Sequence, residues 1–272
     1  MASRSGVALT EIVAYLDEYL RIREVPDDRN AVNGLQVENG GLVGSIVAAV
    51  DASQATIDGV IAETGGAAGS RTAGPPLLTV HHGLFWDGNV PITGRRYRRV
   101  SALIEHDVAL YAAHIPLDLH PEVGNNAVLA ERLGIGVEGW FGDYRGSPIG
   151  VWGHAPHGLG SRDALLAEVN RALGTFSPGA RLIPGGPDRV SRVGIITGAA
   201  GNMISAARDA GLDTYITGEG PHHTYFDAME GGINAIYAGH YATETLGVQA
   251  LASHLAERFE LEWVFHDHPT GM

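Results

Sequence analysis

Two short stretches of this chain end in a histidine followed four residues later by a carboxylate. Residues 109–118 read ALYAAHIPLD and residues 235–244 read AIYAGHYATE, giving the pairs His114/Asp118 and His240/Glu244. At the same offset Leu129-Ala130-Glu131-Arg132 returns as Leu255-Ala256-Glu257-Arg258, so the two stretches read as copies of one unit. Imidazole nitrogen and carboxylate oxygen are donors that hold divalent cations, and a buried strand delivering both at its carboxyl end is a common way to build a metal site. A third apolar run, Leu77-Leu78-Thr79-Val80, ends in the adjacent pair His81-His82. A fourth, Thr214-Tyr215-Ile216, leads to Gly218-Glu219 and then His222-His223. All of these clusters fall at the carboxyl ends of expected strands, where ligands of open α/β sheets gather.

Each of these residues also has an ordinary structural use. Adjacent strand histidines point to opposite faces, yet a strand terminus can turn and present both, and packing alone does not explain two histidines there. Asp118 follows Pro116, where a turn role and a ligand role stand level. Glu244 in a first helical turn would answer the helix dipole, and the duplication is what tips His240 and Glu244 toward ligation. His114 reads as a ligand or as the orienter of one, the second being favoured. His154 and His157 in WGHAPHG have ligand spacing but read as part of a glycine-rich surface turn; His266 and His268, near the end of the chain, receive no role. Arg95, Arg96, Arg98 and Arg99 could clamp a phosphate or carboxylate, but a solvated helix start or an intersubunit ion-pair patch is preferred.

Composition narrows the choices. With no cysteine among 272 residues, disulfides, thiolate metal sites and cysteine nucleophiles are excluded, and any metal must be held by nitrogen and oxygen. A formal charge of −13, with all 18 basic residues arginine, argues against a nucleic-acid partner. No apolar run approaches the roughly 18 residues that cross a bilayer, and the start MASRSGVALTEI lacks the order of a secretion signal, so a cytoplasmic location and no membrane partner are expected.

The elements that must position these residues follow from periodicity. Helices are expected over 10–22 (with Thr10 as N-cap), 54–63, 100–106, 125–133, 162–173, 203–210, 225–231 and 242–259. Strands are expected over 35–37, 46–50, 77–80, 109–113, 149–152, 193–196, 214–216, 235–238 and 261–265. Between 136 and 190 glycine and proline thicken around one strand and one helix, which reads as the start of a second lobe ending in a turn-rich link at 184–187. The alternation makes the fold class α/β, a largely parallel or mixed sheet flanked by helices, with 46–132 and 193–258 as two versions of one unit.

Five motifs together, NGLQVE (33–38), HHGLFW (81–86), AAHIPLDLHPEVGNN (112–126), ITGEGPHHTYFDA (216–228) and GHYATE (239–244), resemble the NGG-interacting-factor-like family of dinuclear metal-centre proteins, also described as type-2 GTP cyclohydrolase I homologues. The resemblance runs from about residue 10 to the end, without the large central insertion of some relatives and with Gly220-Pro221 in place of commoner residues before His222. It implies two interlocked, pseudo-duplicated α/β lobes, residues 1–125 with 236–272 and residues 126–235, with a metal pair in the cleft between them. It implies His81, His82, Asp118, His240 and Glu244 as ligands, with His114, Glu219, His222 and His223 as pocket neighbours. It also implies a homohexamer, a trimer of dimers.

Three neutral imidazoles and two carboxylates leave two divalent ions with surplus positive charge, which suits a bridging hydroxide or an anionic small-molecule substrate. Such a pair lowers the pKa of bound water and can clamp both the attacking and the leaving oxygen. Hydrolysis is therefore the natural reaction class, and the resemblance implies a dinuclear metal-dependent hydrolase of the GTP cyclohydrolase I type 2 kind, its metal-bound hydroxide attacking a nucleotide or related phosphorylated substrate. Catalytic help is expected from Glu219 and from His222 or His223 as proton shuttle, with the arginines on the triphosphate. The metals are two per subunit, drawn from zinc, iron, manganese, nickel or cobalt, since this donor set suits all five. The alternative is a non-catalytic ring that buffers metal or serves as a scaffold.

Overall fold

The structure, a computed structural model, describes residues 6–64 and 74–272; residues 1–5, part of the stretch read above for a secretion signal, lie outside the described ones. Two units are distinguished, Met1–Leu117 with Val248–His268 and Asp118–Gly247 with Pro269–Met272. No helix among the described residues is long and apolar enough to cross a membrane.

The first unit opens with β1 (Val7–Ala8) and α1 (Leu9–Tyr19), which buries Leu9, Ile12 and Leu16 at helical spacing. Thr10 is not its cap. Ala8 takes the capping position with no side-chain bond, because β1 pairs with a later strand and brings the Leu9 N–H 2.9 Å from the Gly41 carbonyl. There follow β2 (Gly34–Val37), β3 (Leu42–Val43), β4 (Ser45–Asp51), α2 (Gln54–Thr64), β5 (Pro76–His82), α3 (Gly94–Glu105), β6 (Ala109–Ala112) and α4 (Ile115–Asp118). β4 and β5 are nearly continuous apolar runs because both their faces are covered, as a parallel strand requires. Val47, Ala49, Leu78, Val80 and Leu110 pack with Ile57 of α2 and Leu103 of α3 in one core cluster.

The second unit holds α5 (Asn125–Arg132), β7 (Gly139–Tyr144), β8 (Ser147–His154), α6 (Arg162–Leu173), β9 (Arg181–Pro184), β10 (Arg192–Ile195), α7 (Ile204–Asp209), β11 (Thr214–Thr217), α8 (Thr224–Gly231) and β12 (Asn234–Tyr237). α9 (His240–Phe259) begins in it, and β13 (Glu262–Phe265) belongs to the first unit. Its core joins Leu129, Val151, Val169, Val193, Ile216 and Ile236. β7 and β8 form a hairpin through Arg145 and Gly146, whose φ angles of 54° and 89° match the left-handed pair that a two-residue turn needs.

The duplication read from sequence is visible in the sheets. In the first unit the order is β13-β4-β5-β6-β2, with β4, β5 and β6 parallel and β2 antiparallel on β6. In the second it is β7-β8-β10-β11-β12-β9, with β10, β11 and β12 parallel and β9 antiparallel on β12. Each parallel triplet ends in one of the His-acid motifs. The sheets are mixed and flanked by helices, as expected.

Three readings need correction. β7 and β9 were expected as loop, because glycine and proline hide short edge strands whose pairing comes from a neighbour rather than from their own residues. Asp118, given a turn role as one of its two readings, lies in the short helix α4. His266, given no role, has a structural one: it is buried, its backbone N–H bonds the Ala48 carbonyl at 2.9 Å, and its ring meets Glu63 at 3.1 Å.

Candidate metal centre

In the first unit the parallel register sets Asp51, at the end of β4, beside His82, at the end of β5. The His82 Nδ1–H donates to Asp51 Oδ1 over 2.9 Å. His81 is buried, with Nδ1 3.0 Å from the Ala113 carbonyl just past β6. His114 follows at once, its backbone N–H bonded to Asn33 Oδ1 at 2.8 Å and its ring Nδ1 to Asp27 Oδ1 at 2.9 Å. Asp27 also accepts from Asn33 Nδ2 at 2.8 Å and from the Ile115 N–H at 3.0 Å. Burial pushes the Asp27 carboxyl up, but the imidazole of His114, the Asn33 amide and the Asp28 N–H outweigh it, so its pKa lies below the ordinary value.

All three imidazoles are therefore held at Nδ1 by an oxygen, which selects the tautomer carrying its lone pair on Nε2. One ligand nitrogen from each of His81, His82 and His114 lies within 4.8 Å of the others. The ring centroids are 4.7 Å apart for His81 and His82, 4.9 Å for His81 and His114 and 5.6 Å for His82 and His114. Trp86 stands edge-on to His114 at 4.8 Å. His114, read from sequence as an orienter, is itself oriented by Asp27 and stands as a third donor.

In the second unit His240 opens α9 and is gripped from two sides. Its Nδ1 is 2.7 Å from Glu219 Oε1, on the segment after β11, and its Nε2 is 3.2 Å from Glu244 Oε2, one turn along the helix. Burial alone would lower its pKa, but the Glu244 and Glu219 carboxylates prevail and raise it to about 9. A cation taking this imidazole at neutral pH must displace a proton. Gly198 makes room for the arrangement: its φ is +69°, and a β-carbon there would sit 2.2 Å from Glu244 Oε1.

Asp118 is buried in the same unit. Asn125 Nδ2 donates to its Oδ1 at 2.8 Å, and the Thr197 hydroxyl lies 3.3 Å from the same oxygen. Asn126, fully buried, donates through Nδ2 to the Ile149 and Asp118 carbonyls at 2.8 and 3.3 Å, and accepts from the Thr197 N–H at 2.8 Å.

The remaining candidates divide. His222 and His223 are exposed before α8, His222 edge-on to Phe226 at 5.8 Å and His223 4.0 Å from Asp227. His154, at the end of β8, bonds Glu138 at 2.7 Å. The arginine cluster lies in the first turns of α3; Arg95 and Arg98 are exposed, while Arg96 and Arg99 turn inward. Buried Arg96 bonds the Val90 and Gly88 carbonyls at 3.0 and 2.7 Å and pairs with Asp87, while Arg99 bonds the Ala52 carbonyl at 3.1 Å. Arg96 fastens the loop after β5 and Arg99 the residue after β4, so these two forks are taken up within their own unit. Asp27 and Asp51 escaped the sequence reading. Asp51 had a signal, a carboxylate closing the strand beside the one that ends in His82; Asp27 sits in an aperiodic loop with none.

The donor sets fit a hard to borderline divalent cation: imidazole nitrogens with their far edges anchored in one unit, the His240 imidazole with the buried Glu244 carboxylate in the other. Replacing Asp51 by alanine is expected to weaken cation binding about 10- to 100-fold with little loss of fold, measured by competition against a chelating dye. Unchanged affinity would show that His82 needs no orienter.

Residues 7–270 match the family model described as Duf34/NIF3 (NGG1p interacting factor 3). A Deinococcus radiodurans protein named GTP cyclohydrolase 1 type 2 homolog is 42% identical over 99% of this chain and 96% of its own length. A Treponema pallidum protein of the same name is 40% identical over 96% of this chain and 99% of its own. Among solved structures, protein ybgI, titled as of unknown function, aligns with TM-score 0.83 at 36% identity, covering 98% of this chain and 100% of that one. TTHA1606 from Thermus thermophilus aligns with TM-score 0.82 at 38% identity over the same shares. Matched along nearly its whole length by sequence model, by named relatives and by solved folds, the chain belongs to the Duf34/NIF3 family.

Proposed function

We propose that this chain is a metal-dependent hydrolase acting on a small phosphorylated substrate, a nucleotide or a relative of one, with His81, His82, Asp118, His240 and Glu244 holding two divalent ions and His114 adding a further nitrogen. The observation that carries the reading is the anchoring of all three imidazoles of the first unit through Nδ1, to the Ala113 carbonyl, Asp51 and Asp27. Histidines kept for packing do not need three separate acceptors on one edge; metal-ligating histidines almost always have one. The names of the relatives, GTP cyclohydrolase 1 type 2 homolog, support the substrate class.

When bound, divalent ions supply Lewis acidity and a nucleophilic water at neutral pH. The chain's own groups do the rest. Asp51 and Asp27 keep the imidazoles in one tautomer, Glu219 orients His240, and His222 or His223, exposed beside that segment, carries the proton between substrate and solvent. The subunits are proposed to assemble as a homohexamer, which light scattering of the purified protein tests directly.

The activity test is elemental analysis of the protein as isolated, followed by a hydrolysis screen with the identified metal using bis(p-nitrophenyl) phosphate and GTP. Turnover that a chelator abolishes and the metal restores supports the reading. Full metal content with no turnover on either substrate would favour the metal-buffering alternative, and absence of metal would remove both.

A further inference from the structure

The face of β12 and β9 beside α8 carries a cavity that the metal donors do not use. Its volume is about 380 Å³, within the range of small-molecule sites, and Arg181, Pro221, Thr224, Tyr225, Phe226 and Tyr237 are among its lining residues. Tyr225 and Phe226 stand edge to face at 5.3 Å and remain about half exposed (45% and 48%), an aromatic wall open on one side.

Its polar groups have fixed senses. The Thr224 hydroxyl, fully buried, donates to the Pro221 carbonyl over 2.6 Å. That proton is committed, so the Tyr237 hydroxyl, itself bonded to Thr224 Oγ1, must be the donor of that contact and turns acceptor lone pairs toward the cavity. Gly220 keeps the arrangement tight, since a β-carbon there would lie 2.6 Å from Tyr237 Oη. Arg181 stands opposite Tyr237 across the β9–β12 pair and so shares its face of the sheet. Among the described residues its guanidinium forms no salt bridge. Burial raises the Tyr237 pKa, so its hydroxyl stays neutral and the positive charge on this face comes from Arg181.

We propose that this cavity binds a small flat heteroaromatic anion: the ring against Tyr225 and Phe226, a ring N–H donated to Tyr237 Oη, and the anionic group on the Arg181 fork. The inference goes beyond the metal reading and does not depend on it, though His222, a proposed proton carrier, also lines the cavity.

Three probes separate the contacts. Indole-3-acetate has both the N–H and the anion, indole-3-acetamide lacks the charge, and naphthalene-1-acetate lacks the N–H. By saturation-transfer NMR and calorimetry on the full chain, indole-3-acetate should bind about fivefold more tightly than either analogue, roughly what one charge-assisted or buried hydrogen bond supplies. Arg181→Gln should erase the advantage over the amide alone, and Tyr237→Phe the advantage over the naphthalene alone, with thermal midpoints confirming that both variants fold. Equal binding of all three probes, gaps that persist in the variants, or no binding up to the solubility limit would each overturn the proposal.

Discussion

Replacing His82 by alanine is expected to lower divalent-cation affinity by more than about 100-fold and to leave the purified protein nearly metal-free. A ligand removal should cost more than the 10- to 100-fold typical of losing an outer partner such as Asp51. The substitution is informative because His82 is only partly buried and closes β5, so its removal should leave the Leu77, Leu78 and Val80 packing intact. Mass-spectrometric metal analysis of His82→Ala, Asp51→Ala and the parent should therefore give an ordered series with far-UV dichroism unchanged. Full metal content in His82→Ala would sink the proposed centre outright.

The second large effect concerns stability. Asn126→Leu, which keeps the branched shape, removes an amide that serves the Thr197 N–H and hydroxyl and the Ile149 and Asp118 carbonyls. Each buried group left without its partner costs about 1–3 kcal/mol, so a loss near 4 kcal/mol is expected even after partial relaxation. Urea unfolding should report it as a lowered midpoint, and hydrogen exchange at the Thr197 amide as lost local protection. A change below about 1 kcal/mol would mean that water replaces the amide and that the network is not what positions this part of the second unit.

These two residues also mark what could and could not be read from sequence. His82 was legible because an uninterrupted apolar run predicts a covered parallel strand, and a histidine pair at its end has no packing use. The parallel triplets were legible for the same reason, and the repeated ALYAAH and AIYAGH announced that there were two of them. Asn126 gave no sign: one asparagine early in a helix looks like any other, and its role comes from Thr197 and Ile149, remote in sequence. Asp27 was hidden in the same way, in a loop whose shape is set by what it bonds. The Arg95–Arg99 cluster was legible in part: a helix start was preferred to a clamp and α3 does begin there, but the carbonyls that Arg96 and Arg99 bond are a use that charge counting cannot distinguish from binding. Edge strands β7 and β9 were lost because their pairing is borrowed from β8 and β12.

The side-by-side register of Asp51 and His82 has a thermodynamic corollary. Both ends of that hydrogen bond are pinned by neighbouring strands of one sheet, so the ring is already aimed before any ion arrives, and little rotamer freedom is left for binding to remove. Uptake should then be governed by stripping water from the incoming ion and by proton release, not by rearrangement of the chain. A protein built this way discriminates among metals through rigidity, accepting those whose preferred angles suit a pre-set frame.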